Sequence, residues 1–184
     1  MAGSPTNASL WPDADVYVGA LDATNPTDAD TAFDSDWDFV GLLDGDAGFG
    51  NSREEEKTDL FAWGGILVRT SRRNFKMSRT FTLLEDNDVT RELIWPGSSA
   101  TELFVPRPQR IKIAFEVREG DRVQRLISTD VGADVEVDGD YSDTESDLTR
   151  YPMRATIYPD PNTVSTVTGA ALLFVRQDNA PASS

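Results

Sequence analysis

The stretch Gln109-Arg-Ile-Lys-Ile-Ala-Phe-Glu-Val-Arg118 decides the fold class. Ile111, Ile113, Phe115 and Val117 point one way; Arg110, Lys112, Glu116 and Arg118 point the other. That period of two is a β-strand and not a helix. Gly120-Asp121 follows and predicts a tight hairpin turn into a second strand, Arg122 to Thr129. A two-residue turn sets Glu116 opposite Arg125 and Phe115 opposite Leu126, both favourable cross-strand pairs. Downstream, Val131 to Tyr141 alternates acid and Val, and Leu148 to Tyr158 places Tyr151, Met153, Ala155 and Ile157 on one side. Pro152 marks a strand start or an edge. Ala170 to Arg176 is a last strand.

Upstream the pattern is also β. Phe75, Met77, Phe81 and Leu83 share a face, with Lys76, Ser78, Thr80 and Thr82 on the other. Arg79 interrupts the apolar face. A lone buried charge is costly, so a carboxylate partner or a subunit boundary is expected there. Leu60 to Arg72, Trp37 to Leu43 and Val16 to Leu21 read as further strands. Asp22 to Asp36, rich in Asp, Thr, Asn and Pro, reads as a loop, and Asp44 to Asp59 as a long one. One short helix is expected over about 87–95, opened by Asp86 and Asp88 and stopped by Pro96-Gly97. The expectation is a single mainly β domain over residues 1–184, a β-sandwich or barrel with one short helix. An N-terminal arm (1–15) and a C-terminal tail (177–184) flank it.

Composition narrows the chemistry. The 184 residues contain no Cys and no His. That excludes disulfides, thiolate catalysis, Ser-His and Cys-His dyads and the commonest metal ligands. With nothing positive pointing to catalysis, no catalytic residue and no cofactor are named. No apolar run approaches the ~20 residues of a membrane span, and residues 1–7 lack the marks of a secretory signal. The formal charge is -15, unevenly spread. Residues 1–60 hold fourteen acids and two bases, residues 61–130 nine and twelve, residues 131–184 nine and three. Two acidic flanks around a balanced middle suit either charge pairing between copies or pairing within one chain.

Three local constellations could carry function. Asp134-x-Glu136-x-Asp138-Gly139-x5-Glu145 has the spacing of a calcium loop. Its flanks read as strand, which favours a solvated acidic turn instead. Asp34-x-Asp36-x-Asp38 lacks the required Gly and Glu and reads as a turn. Arg69, Arg72, Arg73, Lys76 and Arg79, with Phe75 among them, form the only basic cluster. It suits phosphate contact or ion pairing within or between subunits, and the net charge opposes the first.

The run Trp37-Asp-Phe-Val-Gly-Leu-Leu-Asp-Gly-Asp-Ala-Gly-Phe49 resembles the major tail (tail tube) proteins of long-tailed bacteriophages, especially those of actinobacteria. In order follow Ser52-Arg-Glu-Glu-Glu56, Ala62-Trp-Gly-Gly-Ile-Leu-Val68, Thr82-Leu-Leu-Glu-Asp-Asn-Asp-Val89, Ala114-Phe-Glu-Val-Arg118 and Thr156-Ile-Tyr-Pro-Asp160. The resemblance implies a structural virion protein: a small β-sandwich forming hexameric rings that stack into a tube. The tube holds a tape-measure protein and later passes the genome. It also implies contacts with terminator and distal tail or baseplate proteins, and assembly in the bacterial cytoplasm. The long loop 44–59 would contact the next ring, making Asp44, Asp46, Phe49, Arg53, Glu54, Glu55 and Glu56 the expected contact residues. An acidic lumen would repel DNA. A tail terminator, a capsid decoration protein and a calcium-binding β module are the alternatives.

Overall fold

The computed structural model describes residues 9–179. It is a β-sandwich of antiparallel strands with one short helix. The chain runs β1 (Asp13–Gly19), β2 (Trp37–Phe39), β3 (Gly50–Phe61), β4 (Leu67–Leu83), α1 (Asp88–Ile94), β5 (Arg110–Glu119) and β6 (Arg122–Ser128). It continues through β7 (Ala133–Val137), β8 (Tyr151–Ile157), β9 (Asp160–Val164), β10 (Ala171–Leu172) and β11 (Phe174–Asp178). One sheet layer has the order β2-β1-β5-β6-β11, the other β5-β7-β8-β4-β3. β5 belongs to both: its start pairs with β7, and its remainder with β6. The second pair, β9–β10, stands apart.

The deciding strand behaves as its alternation requires. Ile113 and Phe115 are buried in the main core with Val16, Val18, Phe81, Leu83, Met153, Ala155 and Ile157. Gly120 (φ 59) and Asp121 alone link β5 and β6, and the register sets Glu116 against Arg125 and Phe115 against Leu126. The opposite face of β5 is buried as well. Residues 20–36 fold over it, and Ala23, Trp37, Ala114 and Ile127 make a second small core there. Lys112, Glu116 and Arg125 are buried beneath that cover.

The cover is held by hydrogen bonds to its backbone, because a loop rich in Asp and Pro has little apolar surface to hold it. Lys112 Nζ donates to Ala23 O at 2.7 Å, Trp37 Nε1 to Thr24 O at 2.8 Å, and Arg125 Nη1 to Asp28 O and Thr31 O at 3.0 and 2.6 Å. Glu116 joins Arg125 to Arg118, which also binds Asp13 and Asp15. Burial works against the Arg118 charge, but its bonds to Asp13, Asp15 and Glu116 outweigh that and raise its pKa.

The helix lies where expected. Asn87 caps it by accepting from Thr90 N at 2.8 Å, and its inner side sets Thr90, Leu93 and Ile94 into the core. Several boundaries differ. β1 begins at Asp13, so residues 13–15 of the expected N-terminal arm are strand, tied to β5 through Arg118. Residues 177 and 178 of the expected tail belong to β11. Residues 9–12 and 179 have no regular structure, and residues 1–8 and 180–184 of the two expectations lie outside the described residues. The strand expected over 37–43 stops at Phe39. Past it, residues 40–44 cross between the layers and bond β4: Leu84 N to Leu42 O at 3.0 Å and Asp44 N to Thr82 O at 2.9 Å. The strands expected over 131–141 and 148–158 are shorter, Ala133–Val137 and Tyr151–Ile157.

The largest correction concerns the loop expected over 44–59. Residues 44–48 are a turn, closed by Gly48 N to Asp44 O at 3.1 Å, and Gly50 onward is a twelve-residue strand. Its sequence, Gly-Asn-Ser-Arg-Glu-Glu-Glu-Lys-Thr-Asp-Leu-Phe, has no alternation because neither face is buried by the fold.

Candidate functional site

β3 and β4 form a hairpin that leaves the sandwich. Core burial on β4 begins only at Met77, and residues 51–70 are all exposed. From the level of Met77 the paired strands run eight residues to the tip, about 25 Å at strand rise. Cross-strand polar pairs support the arm in the absence of a core. Arg72 Nη1 donates to Glu55 at 3.1 Å, Asn74 Nδ2 to Glu56 at 2.9 Å, and Thr70 Oγ1 to Asp59 at 2.6 Å. Glu54 faces Lys76, and Glu56 faces Arg73. Three of the five basic residues, Arg72, Arg73 and Lys76, thus meet carboxylates on the neighbouring strand, which favours ion pairing over phosphate binding there; Arg69 faces Leu60 and Arg79 faces Asn51.

At Glu55 the register shifts, and Asn74 adopts φ 55. Such a bulge re-aims the strands beyond it. Phe75, expected with the core face, is exposed just before the core begins. At the tip, Ala62 N bonds Ile66 O at 2.8 Å and Gly65 N bonds Ala62 O at 3.1 Å. Gly64 (φ 91) and Gly65 (φ 78) supply the left-handed backbone this turn needs.

The tip is apolar. Leu60, Phe61, Trp63, Ile66, Leu67 and Val68 are exposed, and Trp63 is completely so. Six neighbouring apolar side chains in water form a patch of the kind that marks an interaction surface. The outer edge of β3 pairs with no strand among the described residues. Free edges template association, and the charges from Arg53 to Asp59 blunt this one against indiscriminate pairing.

A cleft of about 700 Å³ opens beside the root of the hairpin. Trp11, Phe39, Leu42, Leu43, Phe49 and Phe81 are among its walls, and Arg79 lines it. Arg79 is only 8% exposed and has no carboxylate partner among the described residues. Of the two outcomes expected for Arg79, the carboxylate partner is thus not found among the described residues. In place of a carboxylate, its guanidinium lies 4.8 Å from the Phe49 ring centroid and 4.6 Å from that of Phe115. The quadrupoles of the two rings offset part of the desolvation cost. The remainder shows in the Arg79 pKa, pushed down to about 10 by burial, and in its Nε, which has no acceptor. The carboxylates along the cleft serve other cations: Asp13 and Asp15 bind Arg118, and Asp44 binds Arg150 at 2.7 Å. That last bond holds the Asp44 carboxyl below the usual carboxylate range.

Because burial disfavours the charged form, the folded monomer gains when Arg79 becomes a neutral side chain of similar length. Arg79→Met is expected to stabilise the isolated chain by about 1–3 kcal/mol, read from urea unfolding of dilute protein. A destabilised variant would show that the two ring contacts outweigh the burial cost.

The other expected site residues are placed as follows. Phe49 packs edge-on to Phe115 at 5.2 Å and lines the cleft wall. Asp44 and Asp46 lie in the turn at the cleft rim, while Arg53, Glu54, Glu55 and Glu56 are exposed on the hairpin. The calcium spacing does not become a calcium loop. Asp134 and Glu136 sit on β7, where Asp134 accepts from Tyr158 Oη and Glu136 faces Arg154; Asp138 pairs with Arg154. Glu145 lies in the long 138–150 connection. Among the described residues no group of three acids is placed to hold a metal ion, and no helix is long and apolar enough to cross a membrane. Sequence reading missed the Arg79 cleft as a cavity; the interrupted apolar face at Arg79 was its only signal.

The sequence matches no family model, and comparison with curated proteins finds no similar one.

Proposed function

We propose that this chain is a self-assembling structural protein, the repeating subunit of a phage tail tube. The observation that carries the reading is the hairpin: an arm about 25 Å long with an apolar tip and a free twelve-residue edge. An isolated two-stranded ribbon is marginal in water. A chain that keeps one this long, with six apolar side chains at its end, has a use for it outside the monomer. Pairing of free strand edges between copies would remove those edges by closing a barrel. The ordered sequence resemblance adds stacking into a tube and passage of DNA. The charge of -15 fits a conduit that DNA traverses without binding, since a carboxylate-rich wall offers phosphates no cationic contacts. The working location is the virion tail, after assembly in the bacterial cytoplasm, with tape-measure, terminator and distal tail proteins as neighbours.

The second reading is a protein that closes one ring and stops, such as a tail terminator or decoration protein. Sedimentation velocity over rising protein concentration separates the two. Growth without a limiting size is expected for a tube subunit; a single closed oligomer at every concentration supports the second reading.

A further inference from the structure

The hairpin tip and the Arg79 cleft have complementary needs, yet they cannot meet in one copy. Asn51 and Arg79 face each other in the register at the root of the hairpin, and both line the cleft. The tip lies ten residues farther along the strand, about 30 Å away at strand rise. The chemistry of the cleft suits an occupant that is apolar and offers an oxygen to Arg79 Nε, which has no acceptor among the described residues. A polyanion suits it poorly, because Asp13, Asp15 and Asp44 line the approach. The tip fits on each count. Trp63 presents a whole indole to solvent, and among the described residues the Trp63 and Gly64 carbonyls accept no backbone hydrogen bond. The two-glycine turn adds no side-chain bulk. Indole is also the best aromatic surface for a guanidinium. Arg69, which faces Leu60 behind the tip, and Asp46, in the rim turn of the cleft, carry opposite charges, and neither side chain has an ion-pair partner among the described residues.

We propose that the Trp63 turn of one copy docks in the Arg79 cleft of the next, as knob in hole. This rests on the self-assembly reading and names its contact. Knob and hole are different patches, so the contact is head-to-tail and propagates from copy to copy. A cleft of this volume takes an indole together with the turn that carries it.

The chain has no Cys, so single introduced thiols report without background. Ala62→Cys labels the knob. Gly45→Cys labels the rim, where an added Cβ meets nothing within 4 Å. The two variants are mixed at assembling concentration and treated with a short bismaleimide. Cross-linking between them is expected at least fivefold above that of Ala62→Cys with Ser142→Cys, whose thiol lies in the exposed 138–150 connection. Adding Trp63→Ala to the knob copy should return it to that control level. Polymers that form without the Ala62–Gly45 excess overturn the docking and leave the tube reading standing. If no polymers form, the tube reading fails and the docking with it.

Discussion

A chain in which residues 61–67 are replaced by a two-residue turn is expected to keep its melting temperature and to stop polymerising. The two halves of that expectation come from the same fact. Phe61, Trp63, Ile66 and Leu67 touch no core side chain, so removing them opens no cavity and leaves no buried group unpaired. Surface changes of that kind stay within about 0.5 kcal/mol. In the assembly the same residues would be buried, and a buried Trp at an interface centre is commonly worth 2 kcal/mol or more. Trp63→Ala alone should raise the concentration at which polymers appear about 30-fold or more, since each 1.4 kcal/mol is a factor of ten. The measurement is a pelleting titration beside a melt of dilute protein. A chain that loses its tip and still polymerises at the original concentration would remove the hairpin from the account. A large fall in melting temperature would mean that the arm serves the monomer's own fold.

The second large effect is on stability. Glu116→Ala removes the carboxylate that Arg125 and Arg118 share. Arg125 then keeps only the Asp28 and Thr31 carbonyls and the Phe33 ring, 4.7 Å away. Breaking a buried pair by deleting one partner costs about 3–5 kcal/mol, far more than the pair's net worth, because a buried charge is left uncompensated. At 184 residues that lowers the melting temperature by roughly 6–20 °C. The double change Glu116→Leu with Arg125→Met removes both charges and should recover much of the loss. It should not restore the bonds from Arg125 to the cover, so amide exchange over 22–36 ought to stay fast even in the recovered protein. Equal losses in the single and double variants would show that the network's worth lies in its hydrogen bonds to the loop and not in charge compensation.

The parts of this fold that were legible in the sequence are those where one face is buried. β8 and the inner half of β4 alternate because the core takes every second residue, and β5 alternates in chemistry because its apolar face meets the main core while its charged face meets the polar cover. The two-residue turn then fixed the pairing of Glu116 with Arg125. The helix could be read from its acids, its i, i+4 pair and its Pro-Gly stop. What could not be read is what the core does not write. β3 is exposed on both faces, so its residues are chosen for solubility and cross-strand charge, and Glu54-Glu55-Glu56 resembles a loop. The far face of β5 is covered by a polar loop held through backbone carbonyls, and carbonyls leave no trace in side-chain pattern. The calcium spacing failed for a related reason: Asp134 and Glu136 obey the strand period of β7, which separates them along one edge instead of curling them about an ion. Arg79 was the one irregularity that pointed to something. A charge on an apolar face promised a partner, and among the described residues no carboxylate meets it.

The proposed function requires copies of this chain to build an open-ended tube. Negative-stain electron microscopy of the purified, concentrated protein tests it most directly. The account predicts long hollow tubes of constant diameter with a regular axial repeat. A field of monomers, or of single closed rings that never stack, would contradict it.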